Sequence, residues 1–265
     1  MQDFTFHRPD TIAGAIETLK KRPDGKYLGG GQSLIPVMKL GLAEPTDLVS
    51  IANLHELKVI RVEGKELVVG AGMTHAEVTE SAEVTKAIPA LADLASHIGD
   101  PQVRNRGTLG GSLAHDDPAA DYPAATLALA ATIVTDRRKI AADDFFRGLF
   151  QTALEPNELI IAVRFPIPEK AAYAKFPHPA TRFALVGVMV AKGPAGVRVV
   201  VTGAGKGGVF RVEEMEKALA KRFAPDAIAS IAVPSAGLTS DPFGSAEYRA
   251  HLIGVMARRA VAACA

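Results

Sequence analysis

Lys26-Tyr27-Leu28-Gly29-Gly30-Gly31-Gln32-Ser33-Leu34-Ile35-Pro36-Val37-Met38-Lys39 decides how the first part of the chain is read. Lys26 to Leu28 predicts a short strand, three glycines follow, and Gln32 to Lys39 predicts a short helix. Pro36 fits that helix only because it falls in the first turn. Glycine lets a backbone approach a ligand closely, and amide N–H groups at a helix start point at anions. A diphosphate is the natural guest of such a segment. A tight turn built from three glycines is the alternative, and this segment alone does not choose between them. Upstream, residues 10–22 place Ile12, Ala15, Ile16 and Leu19 on one helical face, with Asp10 or Thr11 as the cap. Downstream, Asp47 to Ile51 predicts a second strand. Residues 1–56 thus read as a small β-α-β domain.

From residue 57 the pattern changes. Leu57 to Val62 and Glu66 to Ala71 alternate around Gly64, which predicts a hairpin. Residues 74–97 are helical in pattern, with Thr74 opening one segment and Pro89 another. Residues 99–123 (GDPQVRNRGTLGGSLAHDDPAADYP) are rich in Gly, Pro and Asp and predict an irregular segment. Loops of that length are functional or disordered more often than not. Its small-residue cluster, Gly107-Thr108-Leu109-Gly110-Gly111-Ser112, suits a long flat ligand lying on bare backbone. Thr108, Ser112 and Asp121 would offer groups for ribose or ribityl hydroxyls, and a plain surface loop is the alternative. Residues 124–135 read as helix then strand and 159–165 as a strand. Pro166 and Pro168 mark the exit from a second domain, 57–168. In 169–265, strands at 183–191 and 197–202 precede helices at 212–222 and 247–263, the order of a mixed α+β module.

Composition narrows the function. The 265 residues carry 30 basic and 29 acidic side chains, a formal net charge of +1, with 48% hydrophobic and 22% charged residues. This is the balance of a globular chain and not of a nucleic-acid binder driven by bulk charge. A single cysteine, Cys264, excludes a disulfide scaffold or an iron–sulfur cluster held by this chain alone. It fits a reducing, cytoplasmic setting. The start MQDFTFHRPDT lacks a signal-peptide pattern, and the longest apolar run, Ala124 to Val134, is too short for a transmembrane segment.

Other motifs compete. Gly203, Gly205 and Gly208 match G-x-G-x-x-G between a strand and a helix, which admits a nucleotide-binding module with no enzymatic role. Too little chain follows for a doubly wound sheet. Gly110 to Ala114 is one residue short of a G-x-S-x-G elbow and has no strand leading into it. His115, Asp116 and Asp117 are too close together in sequence to converge on one metal ion.

Taken together, GGGQSLIPVMK, GDPQVRNRGTLGGSLAHDDPAADYPA and ELIIAVRFP…YAKF resemble one family: the FAD-binding medium subunit of molybdenum hydroxylases, with aerobic carbon monoxide dehydrogenase and the flavin domain of xanthine dehydrogenases among its members. The resemblance spans the whole chain. It implies an α+β fold: two subdomains of the vanillyl-alcohol oxidase type holding FAD, and a C-terminal domain with a three-stranded antiparallel sheet. It implies that Leu28, Gly29, Gly30, Gly31, Gln32, Ser33 and Leu34 line the diphosphate and adenine side. Thr108, Leu109, Gly110, Gly111 and Ser112 would form the second FAD loop, with His115 close by. Asp121 would bind a ribose or ribityl hydroxyl, and Ile98 and Ile160 would pack on the adenine or the ring system. Lys175 would sit at the isoalloxazine, where a cation favours the anionic reduced flavin. Gln32 departs from the family, where many members carry His. The implied role is electron transfer, with no catalytic acid or base in this chain. An iron–sulfur small subunit with two [2Fe–2S] clusters and a large subunit with molybdenum-pterin would be its partners, in a dimer of heterotrimers. The complex would lie in the cytoplasm or peripherally on the inner face of the membrane. A stand-alone flavin oxidoreductase of the same fold is the alternative.

Overall fold

A computed structural model describes residues 2–264. Near the N-terminus, strands β1 (Thr5–His7), β2 (Lys26–Leu28) and β3 (Asp47–Ser50) form a parallel sheet in the order β1-β3-β2. Helices α1 (Ile12–Lys20) and α2 (Leu34–Lys39) make the crossovers that parallel strands require. Thr11 caps α1 by accepting from the Gly14 amide, and Ala15 and Leu19 bury against Val49, Leu54 and Leu57.

A five-stranded antiparallel sheet follows. Its strands are β4 (Ile60–Glu63), β5 (Glu66–Gly70), β6 (Thr132–Thr135), β7 (Lys139–Ala141) and, after the small hairpin β8 (Phe146–Gly148) and β9 (Gln151–Thr152), β10 (Ile160–Pro166). The order is β4-β5-β10-β6-β7. Between β5 and β6 the chain runs through α3 (His75–Glu80), α4 (Ala82–Ala87), α5 (Pro89–Ser96), α6 (Pro101–Arg104), α7 (Leu109–His115) and α8 (Tyr122–Ala128). Helix α9 (Ala142–Phe145) follows β7. Thr74 and Glu77 cap α3 reciprocally, and Pro89 opens α5.

The expectation of an irregular 99–123 segment is corrected here. Asp100 accepts from the Val103 amide and caps α6, while Thr108 accepts from the Gly111 amide and caps α7. Leu109 and Leu113, one helical turn apart, are fully buried, and that burial holds the glycine-rich α7 in place.

The last sheet is antiparallel and comprises β11 (Lys170–Pro177), β12 (Ala184–Gly193), β13 (Gly196–Thr202) and the two-residue β14 (Phe210–Arg211), in chain order. The expected three-stranded sheet is thus extended by a short fourth strand. Helices α10 (Glu213–Lys221) and α11 (Ala246–Ala263) cover one face through Met215, Leu219, Ile253 and Met256. Tyr173, Met189, Ala191 and Val200 turn to the other face and join the core around α5 and α8. Burial on both faces explains why β12 is a continuous apolar run.

Arg249 of α11 is 3% exposed and donates to the carbonyls of Leu185 (2.6 Å) and Gly203 (2.9 Å), with Asp241 as its counter-ion. Replacing it strands those carbonyls. Arg249→Met is expected to lower stability by about 3 kcal/mol, read as a lower urea midpoint at unchanged slope.

Candidate functional site

The main chain of Gly30 lies against Arg106 and Gly107: a methyl group at Gly30 would overlap the Arg106 carbonyl oxygen. A methyl on Gly29 would stand 3.2 Å from Thr108 Oγ1. The two glycine clusters, distant in sequence, therefore meet. They line a cavity of about 580 Å³ that lies between the first sheet and the helices over the second.

The clusters differ in what their amides do. Among the described residues, none accepts a hydrogen bond from the backbone N–H groups of Gly29, Gly30, Gly31, Gln32, Ser33 or Leu34. The second cluster is internally satisfied. Leu109 N–H donates to Met73 O (3.0 Å), Gly110 to Ala71 O (2.9 Å), Gly111 to Thr108 Oγ1 (3.1 Å) and Ser112 to Thr108 O (3.0 Å). Gly110 is glycine because a methyl there would come within 2.6 Å of Ala71 Cβ. The first cluster supplies bare donors, and the second supplies a close-packed wall.

Most of the residues singled out from sequence line this cavity: Leu28 through Leu34, Ile98, Thr108, Gly110, Gly111, Ser112, His115, Asp121 and Ile160. Two do not. Leu109 points into the core, fully buried beneath α7. Lys175 is 4% exposed and its Nζ lies 2.9 Å from Asp121 and 2.9 Å from His97 O. It forms a buried ion pair behind the wall and presents no free cation to the cavity. Asp121 also accepts from Tyr173 Oη at 2.5 Å. Burial raises the Asp121 carboxyl, opposed by the Lys175 ammonium and the Tyr173 hydroxyl.

Sequence reasoning missed other lining groups. Tyr27 is one, its hydroxyl donating to Asn157 O (3.3 Å); burial and the Asp136 carboxylate push its pKa up to about 12. His75 lies under Gly107, 5% exposed, 5.3 Å from the Tyr122 ring, and its Nδ1 has no partner among the described residues. Burial, with the Arg104 cation, holds its pKa down to about 4. The turn Thr181-Arg182-Phe183 walls the end where Asp121 sits. Nothing local in sequence marks these residues, since each is brought in by a packing element.

The G-x-G-x-x-G match does not build a nucleotide site. It turns β13 into the antiparallel β14, whereas a dinucleotide fingerprint needs a parallel strand–helix–strand unit.

A two-walled cavity with bare amides along one wall suits a protein that holds a diphosphate-bearing cofactor. Residues 2–168 match the family model described as FAD binding domain in molybdopterin dehydrogenase. The chain is 34% identical to the carbon monoxide dehydrogenase medium chain of Hydrogenophaga pseudoflava, covering 97% of this chain and 96% of that one. It is 35% identical to the nicotine 6-hydroxylase medium subunit of Paenarthrobacter nicotinovorans, covering 97% and 95%. The crystal structure of quinoline 2-oxidoreductase from Pseudomonas putida 86 superposes with a TM-score of 0.90 at 29% identity, covering 98% and 96%. The chain belongs to the family of FAD-binding medium subunits of molybdenum hydroxylases.

Two outcomes follow from the geometry. Gly30→Ala is expected to push the first loop off Arg106 and weaken FAD uptake at least tenfold, measured by flavin fluorescence titration. His75 accepts a proton in the unfolded chain below about pH 6.5 but in the fold only below about 4. Stability should therefore fall by about 3 kcal/mol as pH drops through that window. His75→Gln should flatten this slope in urea melts.

Proposed function

We propose that this chain is the FAD-carrying electron-transfer subunit of a molybdenum hydroxylase complex. The unpartnered amides of Gly29 to Leu34, pressed against the wall at Arg106 and Gly107, carry the reading. They form a cradle that suits a diphosphate and that side chains would fill. Asp121 has acceptor capacity left for a ribityl hydroxyl. Ile98 and Ile160 would pack on the adenine or the ring system, and Thr108, Gly111, Ser112 and His115 would complete the second wall. When bound, FAD supplies both one-electron and two-electron chemistry.

The cavity carboxylates favour electron transfer over a stand-alone oxidoreductase with its own substrate base. Asp121 is tied to Lys175, and Asp117 Oδ1 accepts from the Ala119 amide (2.8 Å). Glu158 is held down to about 2, first by Arg138, and caps the Glu155 amide. None is poised to abstract a substrate proton.

In this reading the iron–sulfur clusters lie on another chain, in keeping with the single cysteine here. An iron–sulfur small subunit would pass electrons from a molybdenum-pterin large subunit to the FAD here, and an external acceptor would take them on. We place the complex, a dimer of such three-chain units, in the cytoplasm, and divide this chain into domains 1–56, 57–168 and 169–265. Among the described residues, no helix is long and apolar enough to cross a membrane.

The chain purified, or mixed with FAD and desalted, is expected to carry the two flavin absorption bands. A colourless product after reconstitution that instead retains NAD or ATP would overturn the assignment.

A further inference from the structure

The expected flavin-facing cation, Lys175, is neutralised by Asp121 and buried. A different cationic residue, Arg182, lines the cavity from an exposed turn. The turn between β11 and β12 is the part of the last sheet that reaches the cavity, through Thr181, Arg182 and Phe183. It sits beside the Asp121 segment, because Ala184 N–H donates to Ala119 O (3.3 Å).

The turn is held firmly. His178 N–H donates to Phe183 O (2.8 Å), and Arg182 N–H donates to His178 O (2.9 Å). His178 Nδ1 accepts from the amides of Ala180 and Thr181, each at 3.2 Å. The Phe243 ring packs edge-on against the His178 ring at 4.1 Å. Within this turn Arg182 adopts φ +61°, a left-handed conformation that costs a non-glycine residue about 1 kcal/mol. Its guanidinium has no carboxylate in ion-pair range among the described residues. Lys26, next to Tyr27 in β2, is the other lysine or arginine lining the cavity. Asp117 also lines the cavity, with one oxygen held by the Ala119 amide.

We infer that Arg182, and not Lys175, supplies the uncompensated positive charge that favours reduced FAD in this subunit. The inference rests on the FAD reading above and on the ring system lying at the Asp121 end. Flavin taking up two electrons, delivered by the iron–sulfur partner, and one proton acquires one negative charge. A fixed cation then binds the reduced form more tightly than the oxidised form. Arg182 is thus a positioning charge on an exposed turn, tunable without repacking the core.

The test uses the full chain with FAD, oxidised or reduced by dithionite, and compares Arg182→Ala, Arg182→Glu, Arg182→Lys and Lys26→Ala. The readouts are both dissociation constants and the midpoint potential. Arg182→Glu is expected to lower the reduced-to-oxidised affinity ratio at least tenfold, a potential more negative by about 30 mV for a two-electron couple. Arg182→Ala should fall between, and Arg182→Lys and Lys26→Ala should keep the parent ratio. An unchanged ratio in Arg182→Glu with normal FAD uptake overturns the inference and leaves the FAD reading standing. A shift confined to Lys26→Ala also overturns it, by assigning the charge on the reduced flavin to Lys26 instead. If the parent chain itself takes up no FAD, the underlying reading falls and the inference with it.

Discussion

The approach of the Gly30 main chain to the Arg106 carbonyl is the contact on which the site depends. It joins a small parallel sheet to a larger antiparallel assembly at a point where neither has room for a side chain. Around that contact the apolar cores stay separate: Ala15, Leu19, Val49, Leu54 and Leu57 form one cluster, and the helices over the five-stranded sheet form another. A seam between two cores is where a long ligand can lie, and the glycines let backbone amides form its floor. Tyr27, held through Asn157, and the Thr181–Phe183 turn both line it.

Polar groups along this seam are sorted by burial. Asp121, at the wall, is held by Tyr173 and Lys175 behind it, and the ammonium compensates the carboxylate. His75 is kept neutral at neutral pH by the same low-dielectric setting. Glu158 has the opposite fate, since Arg138, Thr135 and the Glu155 amide hold it ionised. What remains open to a ligand is mainly backbone N–H and apolar surface, a lining suited to holding a cofactor that carries its own chemistry.

Much of this was legible in sequence. The β2–GGG–α2 punctuation, the Gly64 hairpin, the Thr74 and Pro89 helix starts and the two C-terminal helices all have local causes and stand where local rules put them. The errors have a common origin in distance along the chain. Glycine and proline content masked α7, whose Leu109–Leu113 pair is stabilised by a core assembled elsewhere. The Ala-rich β11 becomes a strand because β12 pairs with it along its length. Lys175 carries no local sign that a carboxylate 54 residues earlier would neutralise it. The amide partners of the second glycine cluster, Ala71 and Met73, lie in the turn after β5, so its closed wall was unreadable from composition.

Buried contacts cross the boundary of the family match at residue 168. Met189, Ala191 and Val200 from the last sheet belong to the same apolar cluster as Leu91, Leu94 and Tyr122 beneath the cavity. Arg198 reaches back to the Leu127 carbonyl (2.8 Å) and to Asp143 (2.9 Å). Cutting the chain at that point would peel the lining from α5 and α8 and leave the walls of the cofactor chamber facing water. The region covered by the family match and the C-terminal domain bury surface against each other, so the second serves as ballast for the first.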